Sequence, residues 1–204
     1  MTSDGPFEPL PPPPPPMAGW MGEVRERLSR WARRPPAHAE GRRAAVLVPL
    51  FVRESRLWTV FTRRTDSLEH HRGQISFPGG AEEPGDATLY HTALRESEEE
   101  LGIRPADALP LGRLSPIVTV TNFYVEPFVA ALPSPYEWRP AAAEIAEVIE
   151  VPVAELALPG VLEEREFPGR DEPVLFYHHG EHVIWGATAR IVQELLSALE
   201  NPAT

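Results

Sequence analysis

Three glutamates are predicted to lie on one side of a single helix, and this constrains the fold of the 204-residue chain more than any other feature. The helix is predicted over residues 89–101, with Gly102 in the position that favours a left-handed helix end. Glu96, Glu99 and Glu100 stand at i, i+3 and i+4, so their carboxylates share one side of the helix. Like charges at this spacing repel each other, so this side either binds a cation or is an ordinary solvated acidic surface.

The opposite side of this helix is suited to packing on a sheet. The residues that share it are Tyr90, Ala93, Leu94, Ser97 and Leu101. Asp86 is the predicted N-cap, because a short carboxylate accepts hydrogen bonds from the first free amides of a helix. Upstream, residues 73–77 have the composition of a strand that Pro78, Gly79 and Gly80 interrupt. Such a backbone can turn a carbonyl or an amide toward a ligand, and a plain turn has the same composition.

A hard divalent cation would convert repulsion among the three carboxylates into binding. Mg²⁺ prefers oxygen ligands, takes few carboxylates and is commonly bound together with substrate phosphates. Arg95 stands four residues before Glu99, which lets it orient a carboxylate. The chain has 30 acidic residues against 19 Lys and Arg, a net charge of -11, so we predict a metal cation and not a nucleic acid as partner.

Composition excludes several kinds of site. The chain has no cysteine, so it has no disulfide, no cysteine-ligated zinc and no thiol nucleophile. It has no run of about 20 apolar residues, so we predict no membrane partner. Its first sixteen residues contain no Lys, no Arg and no continuous apolar segment, unlike a secretory signal, and a cytoplasmic location is therefore expected.

The distribution of proline divides the chain into two regions. Eight of the 25 prolines lie within residues 1–19, including the unbroken run from Pro11 to Pro16, which favours polyproline II. We predict a disordered, proline-rich leader over 1–19 and one folded domain over 20–204. The leader is either a simple tail or a ligand for an aromatic-lined groove on a partner.

The remaining elements indicate an α/β domain. Further helices are predicted at 20–31 and 188–199 from apolar spacing, and at 142–149 from composition. Strands are predicted at 44–50, 57–62, 111–114 and 127–132, and a hairpin at 175–185. This order indicates a mixed sheet covered on both faces. Glu144 and Glu147 are either part of a solvated helix face or extra carboxylates for the site.

Gly79 and Gly80, followed by the run 95–103 (Arg-Glu-Ser-Glu-Glu-Glu-Leu-Gly-Ile), resemble the Nudix box. That signature has a glycine, a loop acid, then Arg-Glu-aliphatic-any-Glu-Glu-any-Gly-aliphatic. In this chain the loop is one residue longer than the common form, the loop acid is Asp86, and Ser97 stands at the aliphatic position. The three helical glutamates match.

This resemblance implies a Nudix α/β/α sandwich that hydrolyses a diphosphate bond in a small nucleotide substrate. It places Mg²⁺ or Mn²⁺ on Glu96, Glu99 and Glu100, with the Gly80 carbonyl as a further ligand. Arg95 joins the three glutamates in the implied catalytic set. The sequence leaves a homodimer open.

Residues 61–80 and 183–192 are similar to the segments that mark the coenzyme A pyrophosphatase branch of the family, although Glu69 stands where that branch usually has arginine. The branch implies cleavage of coenzyme A or its derivatives to 4′-phosphopantetheine, or its acyl form, and adenosine 3′,5′-bisphosphate.

Substrate phosphates are predicted to meet Arg63, Arg64 and Arg72, beside Gly79, because a guanidinium donates two parallel hydrogen bonds to phosphate oxygens. The alternative for these arginines is a set of exposed charges at strand ends.

Two other functions stay open for the whole chain. One is hydrolysis of another nucleoside diphosphate derivative, such as ADP-ribose. The other is a binding module of the same fold without catalysis, which would be expected to have lost part of the acidic cluster that is intact here.

Overall fold

A mixed β-sheet lies between two helical layers in the computed structural model, which describes residues 18–36, 41–65, 73–169 and 172–200. The helices are α1 (Ala18–Arg30), α2 (Leu89–Leu101), the single turn α3 (Val153–Leu156) and α4 (Gly186–Glu200). The main-sheet strands are β1 (Arg42–Arg53), β2 (Arg56–Arg64), β3 (Ile75–Ser76), β4 (Gly79–Ala81), β5 (Leu109–Arg113), β6 (Ile117–Val118), β7 (Phe123–Ala131) and β8 (Ile145–Pro152). A smaller sheet contains β9 (Leu162–Arg165), β10 (Val174–His179) and β11 (His182–Trp185).

Strand β1 is the centre of the main sheet. It runs parallel to β7 on one edge and antiparallel to β2 and β4 on the other, which makes the sheet mixed. β2 pairs with the end of β1, and β4 pairs with its beginning. β3 and β8 extend the sheet from β2, and β5 and β6 extend it from β7. The short glycine strand β4 is thereby fixed against the central strand.

Alternation along β1 explains why its sequence is almost continuously apolar. Ala45, Leu47 and Phe51 pack with α2, whereas Val48 and Leu50 pack on the opposite face with α1 and α4. Successive side chains of a strand point to opposite faces, so a strand covered on both faces needs apolar residues at nearly every position. This burial on both faces confirms the predicted α/β sandwich with a mixed sheet.

Several predicted elements are confirmed at their predicted places. The structure has the helix at 20–31, the β1–β2 hairpin, the β10–β11 hairpin and the closing helix. None of the helices in the described ranges has the length and apolar character that a membrane span needs. Most of the predicted leader lies outside the described residues.

The helix predicted at 142–149 is wrong. Residues 145–152 form β8, which pairs with β2 along most of its length. Ile145, Ile149 and Val151 are buried, and these β-branched side chains fit a half-buried strand better than a helix. Helix-forming alanines and glutamates precede and interrupt this segment, but pairing with β2 overrides their local preference.

Candidate active site

The strand predicted at 73–77 is interrupted as expected, because β3 ends at Ser76, but Gly79 and Gly80 then begin the new strand β4 and do not form a plain turn. Gly79 lies opposite Val46 of β1 and Gly80 lies opposite Ala45. Gly79 has φ of 153°, and a Cβ atom there would lie 2.3 Å from the Ala45 carbonyl oxygen. Glycine is therefore required at Gly79, both for the backbone angle and for the approach to β1.

Gly80 is in contact with the acidic side of α2. A Cβ atom at Gly80 would lie 2.4 Å from the Cδ atom of Glu96 and 2.5 Å from both of its carboxylate oxygens. The missing side chain leaves room for the Glu96 carboxylate directly against the glycine strand. This brings together two residues that the sequence separates by sixteen positions.

Helix α2 begins about two turns before its functional residues, and its N-cap is Thr88. The Thr88 hydroxyl accepts a hydrogen bond from the His91 amide, so the prediction of Asp86 as N-cap is wrong. At the other end, Gly102 adopts the left-handed conformation that was predicted and closes the helix on Glu98 and Ser97 carbonyls.

Asp86 has a different role, because its carboxylate faces Arg95. Nε and Nη2 of Arg95 donate to the two Asp86 oxygens at 3.1 Å each. These hydrogen bonds lower the pKa of Asp86 to about 2, and Thr92 and the Glu83 amide also donate to it. An aspartate therefore fills the loop-acid position as a partner of the helix arginine.

Arg95 connects three parts of the site. Besides Asp86, it donates from Nη2 to the Ala81 carbonyl at 3.0 Å and from Nη1 to Glu96 at 2.9 Å. Nη1 also lies 3.5 Å from the Glu99 carboxylate. Arg95 thus ties the loop, the glycine strand and two of the helical carboxylates together, as its spacing from Glu99 predicted.

The three helical glutamates share one side of α2 but differ in environment. The Glu99 side chain is 61% exposed, whereas that of Glu96 is 19% exposed and that of Glu100 is 6% exposed. Burial raises the pKa of Glu96, and the neighbouring carboxylates of Glu99 and Glu83 raise it further, whereas Arg95 lowers it. Two carboxylates are thus held partly out of water beside the glycine strand, with the third at the rim.

Glu100 is the most buried of the three. Its Oε2 accepts a hydrogen bond from the Gly79 amide at 3.3 Å, and its Oε1 lies 3.5 Å from Arg64. Burial raises its pKa to about 7, and the like charges of Glu96 and Glu144 act in the same direction. The Arg64 charge and the Gly79 amide lower the pKa of Glu100, but they offset only part of the increase that burial causes.

This donor set fits a hard divalent cation. The described residues contain no three acidic or histidine side chains that already converge as a preformed metal site. Arginines contact the carboxylates instead, Arg95 at Glu96 and Arg64 at Glu100. Mg²⁺ needs only one or two carboxylates, with water and phosphate completing its shell, and the buried Glu100 with the half-buried Glu96 meets this requirement.

The three arginines predicted to bind phosphate have different positions. Arg63 and Arg64 are neighbours on β2 but make contacts in different directions. Nε of Arg63 donates to Glu147 at 2.8 Å, and Arg64 lies between Glu100 and Glu144. Arg72 lies outside the described residues.

Glu144 lies near Glu100, because both carboxylates are close to Arg64. The incorrect prediction of a helix at 142–149 did not indicate this proximity. Glu144 lies in the turn just before β8, and its carboxylate is 3.6 Å from Arg64. The amide of Ala141, in the same turn, donates to the Glu100 carbonyl at 3.0 Å. Only the tertiary pairing of β8 with β2 shows this proximity, because the two glutamates are 44 positions apart in sequence.

Comparison with known proteins points to one family. The profile of the NUDIX domain matches residues 41–171. The chain is 38% identical over 164 residues to an uncharacterised Nudix hydrolase, NudL, of Klebsiella pneumoniae, covering 79% of this chain and 85% of the relative. It is 35% identical over 161 residues to a Photorhabdus laumondii protein of the same name, covering 78% and 86%.

A solved structure supports the fold alone. The crystal structure of a MutT/nudix family protein from Enterococcus faecalis superimposes with a TM-score of 0.53 at 12% sequence identity. The superposition covers 86% of this chain and 73% of the other. The sheet and its helical layers are therefore shared at a low level of sequence identity.

Gly79→Ala should destabilise the protein, because the added Cβ would collide with backbone atoms of β1 that cannot move independently. We expect a loss of about 1–3 kcal/mol in the free energy of unfolding, measured by chemical denaturation. Gly85→Ala is the matched control, since nothing lies within 4 Å of a Cβ at Gly85. Equal stability of the two variants would contradict the packing described for β4.

Glu100→Gln should stabilise the metal-free protein at pH 8 relative to the wild type. The pKa of Glu100 is raised from 4.5 to about 7 in the folded state, so ionisation costs stability as the pH rises through this window. Glutamine avoids this cost, and we expect a gain on the order of 2 kcal/mol at pH 8 that disappears near pH 4. Denaturation with a chelator present measures it, and a difference independent of pH would disprove the assignment.

Proposed function

Since the chain belongs to the Nudix hydrolase family, enzymes that cleave nucleoside diphosphate derivatives and generally need divalent metal ions, we propose that its substrate is coenzyme A or an acyl derivative. The single observation that carries the proposed site is the contact of the Glu96 and Glu100 carboxylates with the Gly79–Gly80 strand. The products would be 4′-phosphopantetheine, or its acyl form, and adenosine 3′,5′-bisphosphate. We further propose a cytoplasmic location.

The proposed metal ligands are Glu96, Glu99 and Glu100, with the Gly80 carbonyl. Glu96 and Glu100 would hold Mg²⁺ or Mn²⁺ on the side of the glycine strand, and Glu99 would act from the exposed rim. When bound, the cation would neutralise charge on the diphosphate and lower the pKa of a coordinated water. Hard carboxylate oxygens suit either ion.

Arg95 is proposed as a catalytic-site residue that fixes the carboxylates. Its guanidinium holds Glu96 by one nitrogen and Asp86 by two others, so the Glu96 side chain cannot turn into solvent without breaking a charge-assisted hydrogen bond. The loop and the helix then keep a constant distance while substrate enters. Positioning of this kind is a main contribution of a protein to phosphoryl chemistry.

Hydrolysis requires one new bond and one broken bond. The oxygen of a water molecule forms a bond to one phosphorus, and the bond from that phosphorus to the bridging oxygen breaks. The water loses a proton, which a glutamate of the cluster would accept. Each product carries one of the two phosphoryl groups.

Substrate phosphates are proposed to meet the positive charge of arginines within residues 61–80, the first of the two segments that mark the coenzyme A branch. Arg63 is retained as a candidate, although in this structure it donates to Glu147. Arg72 and the Gly79 backbone complete the proposed set, and Arg64 makes contacts that support a different role, described below.

The coenzyme A assignment is supported by the match of residues 61–80 and 183–192 to that branch of the family. Another nucleoside diphosphate derivative, such as ADP-ribose, is the alternative, because Glu69 stands where the coenzyme A branch usually has an arginine. A non-catalytic module is disfavoured by the intact acidic cluster.

Glu96→Gln and Glu100→Gln should each lower kcat on the order of 100-fold, because glutamine keeps the shape of the side chain but removes the charge that holds the cation. Turnover is measured at saturating Mg²⁺ and again with Mn²⁺. Glu98→Gln is the control on the same helix, since Glu98 is exposed and lies on another side. Rates of the first two variants equal to that of the control would overturn the metal assignment.

Coenzyme A, an acyl-coenzyme A and ADP-ribose compared side by side test the substrate. We expect kcat/KM for coenzyme A or its acyl form to exceed that for ADP-ribose by about tenfold or more. Separation of products by mass should show 4′-phosphopantetheine with adenosine 3′,5′-bisphosphate. A preference for ADP-ribose would replace the coenzyme A assignment and leave diphosphate hydrolysis in place.

A further inference from the structure

Arg64 lies between two carboxylates that come from distant parts of the chain. Its Nη1 is 3.5 Å from Oε1 of Glu100, and its Nη2 is 3.6 Å from Oε2 of Glu144. Its own backbone is fixed in the sheet, since its amide donates to the Gln74 carbonyl at 3.1 Å. One guanidinium therefore links the end of α2 to the turn before β8.

The placement of this guanidinium leaves one of its donors unsatisfied. Nε of Arg64 is buried and has no hydrogen-bond partner, and it is the only side-chain nitrogen or oxygen of this kind among the described residues. A buried unpaired donor costs free energy, so such a group calls for a compensating interaction. The two carboxylates contact the Nη atoms and leave Nε unpaired, so the favourable interactions that hold the arginine here are those with Glu100 and Glu144.

The neighbouring Arg63 and Arg64 point to opposite faces of the sheet, and only Arg64 faces the glutamates of α2. Side chains of successive strand residues point to opposite faces of the sheet. Arg63 pairs with Glu147, which also lies 3.5 Å from His182 of the small sheet. Arg64 points instead to the face that carries α2. Of the two arginines, only Arg64 is able to act on Glu100.

Glu100 needs a partner of this type because its carboxylate is almost completely buried. Its contacts are the Gly79 amide at 3.3 Å on one oxygen and Arg64 on the other. A buried carboxylate without a cation either becomes protonated or turns toward water. Arg64 therefore provides the opposite charge beside the Glu100 carboxylate, while the Gly79 amide holds the other oxygen at the glycine strand.

The turn that carries Glu144 is built into the same arrangement. The Ala141 amide donates to the Glu100 carbonyl at 3.0 Å, and the Thr65 amide donates to the Glu144 carbonyl at 2.8 Å. The residue after Arg64 and the backbone of Glu100 thus both fix this turn. These backbone hydrogen bonds fix the turn that carries Glu144, whose own side chain is 52% exposed.

We propose that Arg64 is a positioning residue that orients the Glu100 carboxylate against Gly79 and couples it to Glu144, and that it does not bind substrate phosphate. This rests on the proposed function, in which Glu100 is a metal ligand. A positioning role requires Arg64 to act through Glu100. A phosphate ligand would act on the substrate directly.

Kinetics separate these two roles. Arg64→Ala should lower kcat by about tenfold or more and change KM by less than about threefold, whereas loss of a phosphate contact would raise KM. Arg64→Lys should recover part of the lost kcat, because the charge is kept although the planar fork is not. Arg56→Ala is the matched control, because Arg56 lies on the same strand and pairs with Glu155 away from the site. A rise in KM with kcat unchanged would overturn the proposal.

A double-mutant cycle with Glu100→Gln tests the coupling without any turnover. The free energy of unfolding and the Kd of Mn²⁺, from calorimetry without substrate, are measured for the wild type, both single variants and the double variant. We expect Arg64→Ala to change each quantity in the wild type and to have little further effect in the Glu100→Gln background. Additive effects would overturn the proposal.

The same cycle distinguishes this proposal from the proposed function. A wild type that neither binds Mn²⁺ nor hydrolyses any substrate would refute the metal-dependent activity, while the unfolding cycle would still report on the pair. A wild type that binds Mn²⁺ and turns over substrate, together with additive effects of the two substitutions, would refute the role of Arg64 alone.

Discussion

Placing ionisable carboxylates between a helix and a sheet costs free energy, and the structure around α2 depends on how that cost is offset. Glu96 and Glu100 are drawn from water against Gly79 and Gly80, where one backbone amide and two arginines meet them. The offset is incomplete, since burial still raises both pKa values. Because the negative charge of these carboxylates is only partly compensated within the protein, a bound divalent cation would add stability. A feature that function requires thus lowers the stability of the metal-free fold.

The surrounding fold makes this arrangement rigid. The central strand β1 is apolar on both faces and holds β4 by backbone pairing, so the glycines cannot move away from α2. Asp86 and Arg95 tie the loop to the helix, and the turn before β8 is hydrogen-bonded to the end of α2. Pairing in the sheet thus fixes the site on one side, and charge pairs fix it on the other.

Local chemistry made a large part of this predictable from the sequence. The spacing of the glutamates indicated a shared helix face, and the glycines indicated an unusual backbone beside it. Ser97 stands where the family pattern has an aliphatic residue, and the helix accommodates it because its buried hydroxyl donates a hydrogen bond to the Ala93 carbonyl. Strand β8 was missed because the alanines before it and the glutamates within it favour a helix locally, and its strand conformation depends on pairing with β2. The contacts of Arg64 were missed for the same reason, since they join residues brought together only by the sheet.

The central claim is that the carboxylates of Glu96 and Glu100, at the glycine strand, bind a divalent cation. Crystals grown with Mn²⁺ and measured at a wavelength that gives anomalous scattering test it most directly. The account predicts an anomalous peak within coordination distance of both carboxylates. A well-ordered site with no peak there, or a peak bound by other residues, would contradict it.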